Sequence, residues 1–424
     1  MDFRPQIILM ETKAPLIKKH VHYTRHLKEL IPDVKIVLCG DHVSFFPKET
    51  LGTSSADYVL AGGLYDFTFT HLVEFLSGKL GSLPGGCYYK DGGQIKRTGE
   101  LDPHIDLDAL PFIDRHLTKW NLYGEAYLKK PATYILSGRG CSGAKGISVC
   151  SFCIWQQALW RFSARLRSPE HVVKEIKYLV EELGVVEVFD DNESGPVWDI
   201  DWLREFSRLL MKEGLRKRVY ISTNARADLL TKEVCRLLKE CNFRLLKVGI
   251  ESGSERILRE VINKKEGVAD IKRGIKNAKD CGLIVLMTNM VGYPEETEEE
   301  AEATLSMARE LLLYKTRAGD SLQASILVPY PGTLLWKRAI RNGWLMEDPY
   351  DYEKFDMSHI LIKSNVGDPQ EWCNRIWRLH LHPKFIFRSL ITARSFRDLN
   401  LLWTGFKSLL GHLKDFSNKG NSNH

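Results

Sequence analysis

The segment Thr133-Tyr134-Ile135-Leu136 has the β-branched and aromatic make-up of a short strand, and a loop carrying three cysteines follows it. Four residues separate Leu136 from Cys141, eight separate Cys141 from Cys150, and two separate Cys150 from Cys153. Three thiolates from one loop are soft ligands for zinc or for an iron–sulfur cluster. A structural zinc site needs four ligands, and the nearest histidines, His116 and His171, lie outside the loop on either side. Three ligands leave one metal corner open, which suits substrate binding at an iron. Phe152, just before the last cysteine, is an aromatic suited to stacking on an adenine ring.

Outward from the loop, the chain alternates strands and helices. Ser168 caps the next helix, Pro169 suits its first position and Gly184 its stop. Val185–Phe189, Val219–Ser222, Leu245–Ile250, Ile284–Met290 and Leu322–Leu327 continue the strand series, with helical patterns between them. One helix runs over about Trp198–Lys212 and is ended by Gly214; another opens with the capping-box spacing Thr297-x-x-Glu300. Six strand–helix units predict a parallel sheet with right-handed crossovers, open or curled into a partial barrel. Chemistry in such folds gathers at the carboxyl ends of the strands. There the sequence places the cysteine loop, Asp190-Asp191-Asn192, Asn224 with Arg226 and Asp228, Glu251-Ser252, Gly292-Tyr293-Pro294, and Pro329-Tyr330-Pro331-Gly332. For each there is a plainer role: Asp190, Asp191 and Glu251 as caps of following helices, Arg226 with Asp228 as a surface pair, Gly292 and Pro294 as turn formers.

The 424 residues suggest two or three domains, and a net charge of +6 is too dilute to argue for nucleic acid by itself. Hydrophobic residues at 44% exclude a disordered chain. No run approaches the length of a spanning helix, and the start lacks a signal peptide, which predicts a cytoplasmic protein. Nine mostly scattered cysteines are poor material for a disulfide framework. Residues 1–75 carry their own α/β pattern, with Gly40 and Gly62-Gly63 just after strands, where a backbone approaches a ligand closely. Residues 76–130 read as a connector with a turn at Lys90-Asp91-Gly92-Gly93, 131–345 as the six-unit α/β body, and 346–424 as a helical extension.

The loop and its setting resemble the radical S-adenosylmethionine (radical SAM) superfamily. Phe189-Asp190-Asp191-Asn192, Gly249–Glu255, Val291–Thr297 and Pro329–Thr333 are similar to its cobalamin-dependent branch. Val37–His42 and Tyr58–Asp66 look like half of that branch's cobalamin domain, and Leu107–Arg115 like its connector. The eight-residue first gap and the absence of Gly-Gly-Glu after strand two depart from the commonest pattern. The resemblance implies a partial (β/α)6 radical SAM barrel, preceded by an incomplete Rossmann-like cobalamin-binding domain and followed by a helical tail. It implies a [4Fe–4S] cluster on Cys141, Cys150 and Cys153, whose open iron chelates S-adenosylmethionine for reductive cleavage to a 5′-deoxyadenosyl radical. It further implies cofactor contacts from Phe152, Asp190, Asp191, Asn224, Arg226, Glu251, Ser252, Gly292 and Pro294, and an electron donor such as flavodoxin or ferredoxin. The catalytic residues and the small-molecule substrate are unassigned.

Cobalamin is the doubtful cofactor. The family's Asp-x-His-x-x-Gly element is missing, and the sequence begins at what would be the third strand of a five-stranded domain, as expected of a vestigial domain, of one completed by another chain, or of one cut short by a misplaced start. His42 follows a different strand and is expected as a surface or loop histidine. Three functions are therefore expected in turn: cobalamin-assisted methyl transfer, a cobalamin-independent radical SAM reaction, and a non-enzymatic zinc-stabilised binding module, for example for RNA. In the tail, residues 381–424 hold seven basic side chains against two acidic ones among many apolar residues. Such a segment packs over the barrel mouth or makes peripheral contact with an anionic membrane.

Overall fold

The computed structural model describes residues 4–102, 105–142, 149–161 and 163–419. Its strands are β1 (Ile7–Glu11), β2 (Lys35–Cys39), β3 (Tyr58–Leu60), β4 (Cys87–Asp91), β5 (Gln94–Arg97), β6 (Ala132–Ile135), β7 (Gly138–Arg139), β8 (Arg165–Leu166), β9 (Glu187–Asp190), β10 (Tyr220–Ala225), β11 (Phe243–Glu251), β12 (Ile284–Val291) and β13 (Ser321–Ile326). Six of them, in the order β6-β9-β10-β11-β12-β13, form one all-parallel sheet, as the strand–helix alternation requires. The local signals hold in detail. Ser168 caps helix Pro169–Glu181, Gly214 follows helix Ile200–Lys212 with φ +65°, and Thr297 and Glu300 form a reciprocal capping box.

The helices bury one face of this sheet. Val172, Ile176 and Leu179 from the first helix join Val188, Ile221, Val248, Val285 and Leu322 in the main core. On the other, inner face, Leu128, Phe189, Leu245 and Leu286 form a smaller apolar floor near the start of the strands. Above that floor the inner face turns polar towards the carboxyl ends.

The N-terminal sheet has five strands in the order β1 to β5. The first three are parallel, and the hairpin β4–β5 adds two antiparallel strands from what reads in the sequence as connector. This sheet sits on the carboxyl-end rim of the larger one: Leu64, Phe67, Leu101 and Ile105 pack on Leu159 and Trp160. His42, expected at the surface, is buried between Phe46 and Tyr352, with ring centroids at 5.1 and 4.6 Å. Burial pushes its pKa down to about 4, so it stays neutral.

The tail packs on its own protein: Tyr352 and Pro369 meet the rim side at His42 and Gly292, and from there the chain runs along β13 to the opposite end, where His380 meets Leu322. Helix Pro369–Arg378 lies against β13, and helix Phe396–Lys419 is tied to the floor by Lys129 and Asp398 at 2.8 Å. Leu409, Leu410, Lys414, Asp415 and Lys419 lie outside the residues whose side chains are described, and Gly420–His424 outside those described at all. Among the described residues no helix is long and apolar enough to cross a membrane.

Candidate active site

The base of the cysteine loop is closed by a two-stranded ribbon, β7 against β8. Gly140 has φ +87° and lies so close to the Ser163 carbonyl that a Cβ would sit 1.9 Å from it; only glycine fits. Its N–H donates to Glu193 at 2.8 Å, and the Trp160 indole N–H donates to the same carboxylate. Residues 143–148 of the loop lie outside the described structure. Beyond them, Gln157 Nε2 donates to the carbonyls of Cys150, Ser151 and Cys153 at 3.0–3.1 Å, and its Oε1 accepts from Leu334 N–H. Ser151 is further held by Ile262 and Val261. The Cys150–Cys153 turn is thus bolted to neighbouring elements, as a site that positions ligands requires.

Cys153 lies within charge range of both Cys150 and Cys141. Burial pushes Cys150 up to about 12 and Cys153 up to about 11; Cys153 raises the former and Cys141 the latter. Lys264 and Arg226 act on Cys150 in the opposite direction. Both cations are buried and paired. Lys264 lies 3.0 Å from Glu251 and 3.7 Å from Glu266; Arg226 lies 3.0 Å from Asp228 and 3.3 Å from Glu266. Burial alone pulls Lys264 down, but Glu251 and Glu266 outweigh it and hold the ammonium charged. Glu251 has φ +52° at a β-bulge, and Asn263 and Lys265 beside Lys264 also have positive φ. Such non-glycine strain, of order 1–3 kcal/mol per residue, persists where the surroundings over-determine it, commonly at functional sites.

The other expected residues divide into two groups. Asp191 and Asn224 meet at 3.2 Å and have accessible surface. Asp190 is buried, accepts from Ser137 N–H, Ser137 Oγ and Thr223 Oγ1, and is pushed up to about 6 by burial. Its role is to pin the segment after β6 to β9. Ser252 is fully buried against Thr304, and Pro294 is buried. Gly292 has φ +86° under Pro369, its N–H donating to Glu296 at 2.7 Å. Phe152 packs on the main core with part of its ring exposed. Sequence reasoning missed Lys264, Glu266, Glu193 and Gln157. Lys264-Lys265-Glu266 reads as a solvated charge run, and only the fold reveals that it is internal.

Residues 135–308 match the radical SAM superfamily, and the cysteine loop at the rim of a parallel six-stranded sheet lies within that span. This span is a radical SAM domain. An uncharacterised methyltransferase of Pyrococcus horikoshii is 29% identical over 81% of this chain and 71% of its own length. Cytidylyl-2-hydroxyethylphosphonate methyltransferase of Streptomyces wedmorensis is 27% identical over 87% and 73%. Among solved structures, the radical SAM methyltransferase TsrM of Kitasatospora setae, with cobalamin and a [4Fe–4S] cluster bound, superposes with a TM-score of 0.70 at 15% identity, covering 98% of this chain and 89% of that one. That likeness is one of fold.

The family's cofactors are a [4Fe–4S] cluster and S-adenosylmethionine, and the donor set fits the cluster. Among the described residues no three Cys, His, Asp or Glu side chains gather as a single metal ion requires. A four-iron cluster instead gives each thiolate its own iron, and the cations beside Cys150 complement the thiolate charge. Two of the N-terminal strand-end glycines leave little room for a corrinoid. A Cβ on Gly63 would come within 2.4 Å of Trp160, and one on Gly40 within 2.7 Å of the Thr12 carbonyl, whereas one on Gly62 would meet nothing nearer than Leu101 at 3.4 Å. Gly40 and Gly63, expected to admit a ligand, admit neighbouring protein instead.

Proposed function

We propose that Cys141, Cys150 and Cys153 hold the cluster through three irons, leaving the fourth for the amino and carboxylate groups of S-adenosylmethionine. The carrying observation is the Cys150–Cys153 turn, fixed at a strand-end rim by Gln157 beside Lys264 and Arg226, with Cys141 within charge range of Cys153. When bound, the reduced cluster supplies the electron that cleaves the sulfonium and starts radical chemistry on substrate. The chain's own residues position and shield. Glu251, Asp191, Asn224, Phe152 and Arg226 offer polar and aromatic contacts to the cosubstrate, while Asp190, Ser252, Gly292 and Pro294 shape the turns that present them. Leu159 and Trp160, under the N-terminal sheet, exclude water from above.

Methyl transfer is the reaction that the names of the relatives support. Packing of Gly63 on Trp160 favours a second reading, a hydrogen abstraction that runs without cobalamin. The reductant is a small electron carrier such as flavodoxin or ferredoxin. Nine free thiols support a reducing, cytoplasmic setting. Exposed Phe387, Ile391, Phe396 and Trp403 among Lys384, Arg388, Arg394, Arg397 and Lys407 support peripheral contact with anionic lipid. The central test is anaerobic reconstitution of wild type and Cys150→Ala. Wild type should take up about four irons and cleave S-adenosylmethionine, and the variant should do neither while keeping its fold. A wild-type protein that binds one zinc and no iron would overturn the reading.

A further inference from the structure

A cavity of about 490 Å³ lies at the floor end of the barrel, between the inner face of the sheet and the tail helices. Leu286 and Gln323 line it from the sheet; Phe385, Leu402, Trp403 and Phe406 line it from the tail. Its polar groups carry no free charge. Asp320 accepts from the N–H groups of Val285 and Arg317 and pairs with Lys279 at 3.1 Å. His380 uses both ring nitrogens: Nε2 accepts from Leu322 N–H at 3.1 Å, and Nδ1 donates to the Trp377 carbonyl at 2.9 Å. Among the described residues that line it, one fully buried side-chain polar atom is without a partner. Ser389 is 3% exposed, lines the cavity, and its Oγ has no hydrogen-bond partner.

On the strand next to Leu286, which lines the cavity, stands a cation without an ion pair among the described residues. Lys247 is in register with Leu286 on one side and with Asn224 on the other, so its side chain shares their face of the sheet. It makes no ion pair or hydrogen bond within the described structure, and Asp191 acts on it only from a distance. A half-buried ammonium on a central strand is costly unless something anionic meets it. Lys247 lies four residues below Glu251 on β11, about 13 Å along the strand. An anion held there would sit between the cavity and the thiol rim.

We propose that the floor cavity and Lys247 form the substrate site, and that the substrate is an amphipathic anion. Its extended apolar part fills the cavity, its carboxylate or phosphate pairs with Lys247, and Ser389 serves a hydrogen-bonding group on the buried part. The inference deepens the radical SAM reading and rests on it for the word substrate, but its test needs neither cluster nor cosubstrate. The full chain without cluster is titrated with two fluorescent probes, 11-(dansylamino)undecanoic acid and the uncharged N-phenyl-1-naphthylamine. Both should bind the wild type. Leu402→Trp, which fills the cavity from the tail and leaves the barrel core alone, should weaken both at least tenfold. Lys247→Met should weaken the dansyl acid at least tenfold and the neutral probe less than twofold, with unchanged circular dichroism. Failure of both probes to bind the wild type, binding insensitive to Leu402→Trp, or acid binding insensitive to Lys247→Met would each overturn the proposal. Loss of S-adenosylmethionine cleavage alone would bear on the cluster and not on this site.

Discussion

Replacing Lys264 by methionine removes the cation that Glu251 and Glu266 share, at 3.0 and 3.7 Å. At an effective dielectric near 20 the two attractions amount to about 5.5 and 4.5 kcal/mol. Desolvation of the charges consumes much of this, and the net cost of breaking a buried pair is about 3–5 kcal/mol, because the partner charges stay buried without compensation. Arg226 still neutralises Glu266 in part, from 3.3 Å, so Glu251 bears more of the loss. For a cooperative unit of barrel size this is a fall in melting temperature of roughly 6–20 °C. Burial already raises the Glu266 pKa and Lys264 opposes that shift, so without Lys264 the folded value lies further above the unfolded one. The variant therefore regains stability as pH falls and loses it as pH rises. The assay is thermal unfolding of the cluster-free chain by circular dichroism at pH 8 and pH 6, kept reduced. The double variant Lys264→Met/Glu251→Gln should recover at least about 1 kcal/mol of the deficit, since it removes the stranded charge. A single variant within about 1 kcal/mol of wild type, or a double variant no more stable than the single, would refute this account of the network.

Three further outcomes follow from the same structure. Burial pushes Glu296 from 4.5 up to about 7, against the Gly292 and Tyr293 N–H groups that it accepts, so its stabilising effect is full below about pH 4.5 and is lost as pH rises through 7. Glu296→Gln should therefore gain on wild type between pH 5 and 8, by up to about 3 kcal/mol in urea unfolding, and a difference independent of pH would count against it. Equilibrium dialysis with hydroxocobalamin should show weak or no uptake, and His42→Ala should leave the spectrum of any bound form unchanged; tight stoichiometric binding would show that the packed glycines open. Co-sedimentation with anionic vesicles should fall when residues 381–424 are removed, and equal, negligible binding by both forms would eliminate the lipid contact.

The parts of this fold legible in the sequence are those written in local physics. Ser168-Pro169 and Gly184, Gly214, and Thr297 with Glu300 satisfy helix ends with neighbours in the chain, so their spacing alone places the helices. The three cysteines are legible because metal chemistry demands that residue type at short range. What escaped was long-range. The hairpin β4–β5 has a readable turn at Lys90–Gly93, but its flanks are polar, and its pairing with β3 follows from tertiary packing. His42 looks like a loop residue until Tyr352, about three hundred positions away, closes over it. Lys264 and Glu251 are thirteen residues apart across a π-helical turn, a geometry that no helical or strand period encodes.

These long-range contacts also settle which way the barrel faces. Gly63 and Leu64 seat the N-terminal sheet on Leu159 and Trp160, and Arg139 pairs with Asp66 at 2.9 Å across the same seam. The rim above the thiols is therefore covered by apolar packing and an ion pair, and opening it for each turnover would expose several large side chains, at about 1.5–3 kcal/mol apiece. The floor is covered far more lightly. Helices Pro383–Thr392 and Phe396–Lys419, the second tied by Lys129 and Asp398 and with Trp403 and Phe406 about half exposed, roof a cavity that already exists. A substrate entering from the floor displaces little protein, whereas one entering from the rim must unseat a domain. By that comparison of costs, traffic into the barrel runs past the tail helix, and the residues that select it are Lys247 and the cavity wall rather than the strand-end loops.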